Sequence, residues 1–237
     1  MKRIYCLLTG VCAATLAATG GAAQIEPPAG SYTTTTRTYI WPGYTGPMPG
    51  QPGDFYFDTD LGGVLQQNLI IRNAGQSVSF DPGIGGNLNF GYNITDALAV
   101  EFQTGATTSE INTSGSQALV FSGYSADIYQ IPIMANVIFK APIPGGLTPY
   151  IGVGYGGAVT TLESYRRGYY VSDTDITPAY QAIAGLRVTL NRRTELGVGY
   201  RFLATTTHTW FADSPALYTP TGPTFSHSIL ATLTLSF

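Results

Sequence analysis

Charge is scarce in this sequence. Only 11% of its 237 residues are Asp, Glu, Lys or Arg, against about a quarter in a soluble protein. Eleven basic and fourteen acidic residues leave a net charge of −3. The basic ones form no stripe, which excludes a nucleic-acid-binding surface. Cysteine is confined to Cys6 and Cys12, so the rest of the chain can build neither a disulfide nor a thiolate metal site. The two histidines, His208 and His227, stand in no metal-binding cluster. No cofactor motif is found either. Gly152-Val153-Gly154-Tyr155-Gly156 is rich in glycine, but no helix follows to bring a dipole to a phosphate. Long apolar runs are also missing. The mostly apolar stretch Ile4–Ala18 is too short to cross a bilayer comfortably as a helix, and small residues follow it instead of basic ones.

That stretch reads as part of a secretory signal over residues 1–23. Lys2 and Arg3 form its positive start, and Gly21-Ala22-Ala23 a small-residue cleavage site before Gln24. Val11 before Cys12 fits a lipidation signal poorly. Without Lys2 and Arg3, nine basic against fourteen acidic residues give a net charge of −5. Residues 24–53 contain Pro27, Pro28, Pro42, Pro47, Pro49 and Pro52, together with the run Thr33 to Thr36. This composition predicts a flexible N-terminal tail.

Beyond it the sequence is rich in Gly, with 29 residues, and Tyr, with 16, and it alternates. The last thirteen residues, F-S-H-S-I-L-A-T-L-T-L-S-F, put Phe225, His227, Ile229, Ala231, Leu233, Leu235 and Phe237 on one face and mostly hydroxyls on the other. A period of two is that of a β-strand. With no charge in its last ten residues, the strand suits lipid on one side and a lumen on the other. Eight such strands are predicted, near residues 55–65, 78–92, 97–107, 127–140, 148–161, 179–190, 195–207 and 225–237. The fold class is therefore all-β, an eight-stranded antiparallel up-and-down transmembrane barrel over residues 54–237. Pro132 removes a ladder donor from the fourth strand and predicts a bulge there.

The connections alternate in length. Asn93–Asp96, Ala141–Leu147 and Asn191–Thr194 are short; Gln66–Ser77, Thr108–Ala126, Leu162–Pro178 and His208–Thr224 are long and read as four outer loops. Transmembrane barrels place short turns in the periplasm and long loops outside, so both termini are expected in the periplasm. Two aromatic girdles are expected, with Phe55, Phe90, Tyr92, Phe139 and Tyr150 joining Phe237 near the periplasmic ends. Phe80, Tyr129, Tyr180, Phe202 and Phe225 are assigned to the outer ends.

Over Asp54–Phe237 the chain resembles the Gram-negative outer-membrane β-barrel superfamily that includes OmpA-type domains, OmpX-like proteins and opacity-type surface antigens. The terminal strand and the segments GYNITDALAVEFQTG, TPYIGVGYGG and YQAIAGLRV carry the resemblance. It implies an outer-membrane location and an assembly signal in Leu233, Leu235 and Phe237. It also implies, as partners, the barrel-assembly machinery and periplasmic chaperones during biogenesis, then membrane lipids and lipopolysaccharide around a monomer of one barrel. Such a likeness identifies a fold well and an activity poorly.

Inward parity gathers a polar set: Asp58, Asp60, Glu101, Lys140, Arg187, Glu195 and Arg201. Eight strands leave little interior once side chains are placed, so these charges are expected to pair and fill the lumen. That predicts a non-catalytic barrel contributing envelope structure or surface contact through its outer loops. Tyr165, Arg166, Arg167, Tyr169 and Tyr170 offer one such contact patch. The alternative is a narrow conduit for a small or hydrophobic solute, as in OmpW-like proteins. A rim hydrolase acting on lipid comes third. It would use His208 and Ser226-His227-Ser228 of strands seven and eight, but Glu195 lies at the wrong end of its strand and Asp213 in a loop, leaving no placed orienting acid.

Overall fold

The computed structural model describes residues 50–71, 76–112, 126–143, 146–166, 169–210 and 219–237. The segments 1–23 and 24–49 of the expected signal and tail lie outside the described residues. Ten strand segments form the wall: β1 (Phe55–Gln66), β2 (Leu69–Ile71), β3 (Gln76–Phe80), β4 (Gly83–Asn93), β5 (Leu98–Asn112), β6 (Ala126–Lys140), β7 (Leu147–Arg166), β8 (Tyr169–Thr189), β9 (Thr194–Trp210) and β10 (Thr219–Ser236). β2 continues β1 along β10, and β3 leads into β4 along β5, which makes eight antiparallel strands. The barrel closes where β1 pairs with β10, from Tyr56↔Ser236 to Gln66↔Ser226. In hydrocarbon an open edge leaves every second backbone group without a partner, so closure is what makes the fold viable. Phe55 and Phe237 mark the near end of the barrel, and the β7–β8 and β9–β10 hairpins its far end.

Three short turns join strands at the near end. Ile94 N–H donates to Leu98 O at 2.9 Å, Ile143 N–H to Leu147 O at 2.8 Å, and Leu190 N–H to Thr194 O at 2.9 Å. At the far end the strands run much further than alternation predicted. The segment Leu162–Pro178 is not a loop: β7 and β8 continue as a hairpin up to the pair Arg166↔Tyr169. Likewise β9 and β10 extend to Trp210↔Thr219, which shortens the expected loop 208–224. The expected loop 66–77 contains β2 and β3, paired from Leu69↔Val78 to Ile71↔Gln76. Lipid is needed for the apolar alternation but not for backbone pairing. Residues of high β-propensity such as Tyr, Val, Ile and Thr therefore carry the ladder past the apolar band. Of the expected loop 108–126, residues 108–112 belong to β5 and 113–125 lie outside the described residues.

Pro132 makes no bulge. The ladder to β7 is continuous through Pro132↔Ala158, and the ladder to β5 lapses between Thr104↔Ile133 and Thr107↔Gln130 without changing register. The irregular places are elsewhere. Register shifts occur in β10 between Pro220, Pro223 and Phe225. Around Pro82 the register against β5 slips by one residue between Phe80↔Ile111 and Ile84↔Thr108. In both places the prolines supply no ladder donor.

Candidate functional site: the polar lumen

The seven predicted charges come from five different strands, and the period of two turns each of them inward. Asp58, Asp60, Glu101, Arg187, Glu195 and Arg201 are all buried. Arg187 is the hub of the lower lumen. Its Nη2 lies 2.5 Å from Asp58 Oδ2 and 3.6 Å from Glu101 Oε1, and its guanidinium sits 4.5 Å over the Tyr150 ring and 5.6 Å over the Tyr56 ring. Tyr56 Oη donates to Glu101 at 2.6 Å. One layer further along, Asp60 accepts from Arg201 at 3.0 Å, Asn89 at 3.0 Å and Thr232 at 2.8 Å. A carboxylate kept out of water needs this many donors, because each unused lone pair carries a desolvation cost.

The other two members lie lower. Lys140 donates to Asn93 Oδ1, and its ammonium is 5.8 Å from the Tyr56 ring centroid. Glu195 accepts from Thr189 Oγ1 at 3.2 Å. Residues 50–54 come close to them at the near mouth. Gly53 N–H donates to Asn93 O at 2.8 Å, and Asn93 Nδ2 to Asp54 O at 3.1 Å. Gly50 and Gly53 have φ of 77° and 93°, which only glycine adopts readily. A Cβ on Gly50 would lie 3.2 Å from Lys140 Nζ, so a side chain there would crowd the ammonium. Burial raises the Asp54 carboxyl above its ordinary range, against the lowering pull of the Gln51 amide and Lys140.

Above the charges lies a layer of amides. Gln103 Nε2 donates to Asn87 at 3.1 Å, Asn136 to Gln103 at 3.0 Å, Gln181 to Gln103 at 2.7 Å, and Gln181 also to Asn136. Then the lining turns apolar, with Met134, Ala158, Ala179 and Leu203 in one buried cluster. A cavity of about 10 Å³ beside Asp60 and Arg201 has room for no more than one water.

A closed eight-stranded wall with an inward polar network and outward apolar faces accords with a match to the outer membrane protein beta-barrel domain family over residues 5–237. The chain belongs to that family. Membership places it in the Gram-negative outer membrane. No curated protein matches the sequence significantly. Among solved structures, the barrel is similar to OprG from Pseudomonas aeruginosa, at 14% identity and a TM-score of 0.56 over 80% of this chain and 98% of that one. It is similar to Neisserial surface protein A, at 15% identity and 0.52 over 77% and 97%. The outer membrane protein AlkL gives 16% identity and 0.51 over 84% and 96%. At such identities the likeness is one of fold.

Membership makes the outward residues lipid-facing. At the near end Phe55 packs against Phe90 at 5.6 Å, Tyr92 at 4.9 Å and Phe237 at 6.5 Å between ring centroids, and Phe139 is exposed. Towards the far end Phe202 stacks on Phe225 at 5.9 Å and Tyr155 meets Tyr180 at 5.2 Å, while Tyr129 is half-buried on the outer side. Two expected girdle residues are elsewhere. Tyr150 is buried in the lumen under Arg187. Its parity with Gly152 and Gly154 is the signal that would have found it. Phe80 pairs with the buried Ile111, and cross-strand partners share a face, so it belongs to the inner side. Tyr56, Asn93 and Thr232 are lumen partners that charge-based reasoning missed, although parity with Asp58 and Asp60 marks Tyr56.

The rim histidines do not meet Ser226 or Ser228. His227 faces outward while both serines are buried. His208 is buried on the inner side, 2.8 Å from Thr205 Oγ1 and 3.4 Å from Asp175 Oδ2. Asp213 and Arg167 lie outside the described residues.

Proposed function

We propose that this outer-membrane barrel is a non-catalytic structural element whose filled lumen stiffens the envelope. In this reading the near end, with Phe55 and Phe237, faces the periplasm, and the far-end hairpins reach beyond the membrane to make surface contacts. It acts as a monomer among membrane lipids and lipopolysaccharide. The observation that carries the reading is the ion-paired lumen, with Arg187 between Asp58 and Glu101 and Arg201 on Asp60. Charges spent on one another at this depth leave no wet path along the axis. Purified protein in planar bilayers should show no steady conductance. Protease added to intact cells should cut in the β7–β8 hairpin and spare the 191–194 turn. Large reproducible channels, or cleavage at that turn, would count against the reading.

The assembly signal belongs to the same proposal. Phe237 exchanges two backbone hydrogen bonds with Phe55, at 2.9 and 3.2 Å, and so makes the last rung of closure. Deleting Phe237 should slow membrane insertion several-fold in a short pulse of synthesis, read as the heat-dependent gel shift, without changing secretion. Ser236→Ala should do much less. Equal rates for the Phe237 deletion and the parent would remove the support for Leu233, Leu235 and Phe237 as the segment read by the assembly machinery.

A second reading, a conduit for a hydrophobic solute, is favoured by one feature. Ile111, Ile128, Leu162 and Leu203 line the inner side of the far half, where a polar lining is usual. An apolar dye that crosses barrel-containing vesicles faster than empty ones would favour it over the structural reading.

A further inference from the structure

The outer face of β1, β9 and β10 carries a polar group set among lipid-facing aromatics. Gln67 Nε2 lies 2.7 Å from His227 Nε2, and Tyr200 Oη lies 2.6 Å from His227 Nδ1. The His227 ring is 5.2 Å from Phe202, which itself stacks on Phe225. His227 stands ten residues before Phe237 on a continuous strand. At roughly 3.4 Å per residue and a tilt of about 40°, that is roughly 25 Å from the near-end girdle, the thickness of the apolar band. The group therefore sits where acyl chains end and headgroups begin.

The hydrogen-bond directions leave one proton unused. An amide nitrogen only donates, so Gln67 Nε2–H gives its hydrogen to His227 Nε2. In the neutral ring the other nitrogen then carries the hydrogen, and Nδ1–H donates to Tyr200 Oη. The hydroxyl hydrogen of Tyr200 is left to donate, and no acceptor for it exists among the described residues.

The opposite sector is hostile to anions. Glu110, Asp127 and Glu163 stand directly side by side on β5, β6 and β7, facing outward at the far end. On the β1, β9 and β10 sector the outward neighbours at comparable height are Leu65, Phe202, Ala204 and Phe225, none of them charged. An anionic headgroup meets three carboxylates on one side and a donor on the other.

We propose that Tyr200, His227 and Gln67 form a binding site for the phosphate of an outer-leaflet lipid, with Phe202 and Phe225 against its acyl chains. The site rests on the outer-membrane reading above and names the lipid partner within it. The test titrates diphosphorylated lipid A into folded, detergent-solubilised protein and counts bound lipid by native mass spectrometry. The same lipid stripped of phosphate and inorganic phosphate alone serve as separate arms. The parent should prefer the phosphorylated lipid by about tenfold, the worth of one hydrogen bond to a charged group. Tyr200→Phe and His227→Phe should each abolish that preference, whereas Tyr155→Phe, which removes a lipid-facing hydroxyl in another sector, should keep it. Equal binding of both lipids by the parent, full competition by inorganic phosphate, or an unchanged preference in Tyr200→Phe would overturn the site. The heat-dependent gel shift of each variant reports barrel folding separately, so loss of the site is distinguishable from loss of the barrel.

Discussion

Arg187→Ala is expected to destabilise the barrel by about 3–5 kcal/mol, the usual cost of leaving a buried charge without its partner. The guanidinium is 2.5 Å from Asp58 and 3.6 Å from Glu101, so its removal leaves two buried carboxylates facing each other. Two aromatic faces, Tyr56 and Tyr150, lose their cation as well. Neither carboxylate can turn to water, because the strands that hold them point every second side chain into the same narrow space. The measurement is urea unfolding in lipid vesicles, followed by the difference in gel mobility between folded and unfolded barrel. Arg192→Ala, at an exposed turn position, should change the midpoint little. The double variant Asp58→Asn, Arg187→Gln should recover part of the loss, since it removes opposite charges together. A loss below about 1 kcal/mol in Arg187→Ala, the range of an exposed ion pair, would mean that the lumen is wet enough to solvate the two acids.

Gly91→Val and Gly63→Val should behave in opposite ways, although each places the same side chain on a neighbouring strand of the same hairpin. A Cβ at Gly91 would lie 2.1 Å from Tyr56 Cζ, because the tyrosine ring packs flat on the glycine. Valine there forces the ring away from Glu101 and from Arg187. Overpacking and the lost charged hydrogen bond together amount to about 2–5 kcal/mol. A Cβ at Gly63 has nothing within 4 Å and points outward. That change should lie within about 0.5 kcal/mol of the parent, as surface substitutions do. Vesicle unfolding of both variants decides the matter. A tolerated Gly91→Val would show that the lower lumen is loosely filled and that Tyr56 has somewhere else to go.

Much of this architecture is legible in the chain itself. Alternation from Phe55 onward marks the wall strands and the inward face of Asp58, Asp60, Glu101, Arg187, Glu195 and Arg201. The reason is geometric: with a period of two, one correctly placed residue settles the face of every other in that strand. The short turns are legible too, since Asn, Asp, Pro and Gly break the alternation at Asn93–Asp96, Ala141–Leu147 and Asn191–Thr194. Parity holds for Tyr150 as well: its aromatic ring suits a girdle, but two glycines of its own face, Gly152 and Gly154, mark it as inward.

Strand ends and partners across the lumen are a different matter. The β7–β8 hairpin continues through Glu163, Asp173 and Asp175, where hydrophilic residues resemble a loop, because pairing is sustained by backbone hydrogen bonds that side-chain polarity does not report. Nor does the chain say that Arg187 meets Asp58, 129 positions away, rather than Asp60. That choice depends on the stagger between strands on opposite sides of the barrel, and the stagger is set only when β1 meets β10. Away from the register slip at Pro82, which turns Phe80 inward, the sequence by itself determined which side chains enter the lumen and which face lipid, because the pleat dictates both. Closure of the barrel decided which of those inward groups touch, because it alone fixes their relative heights.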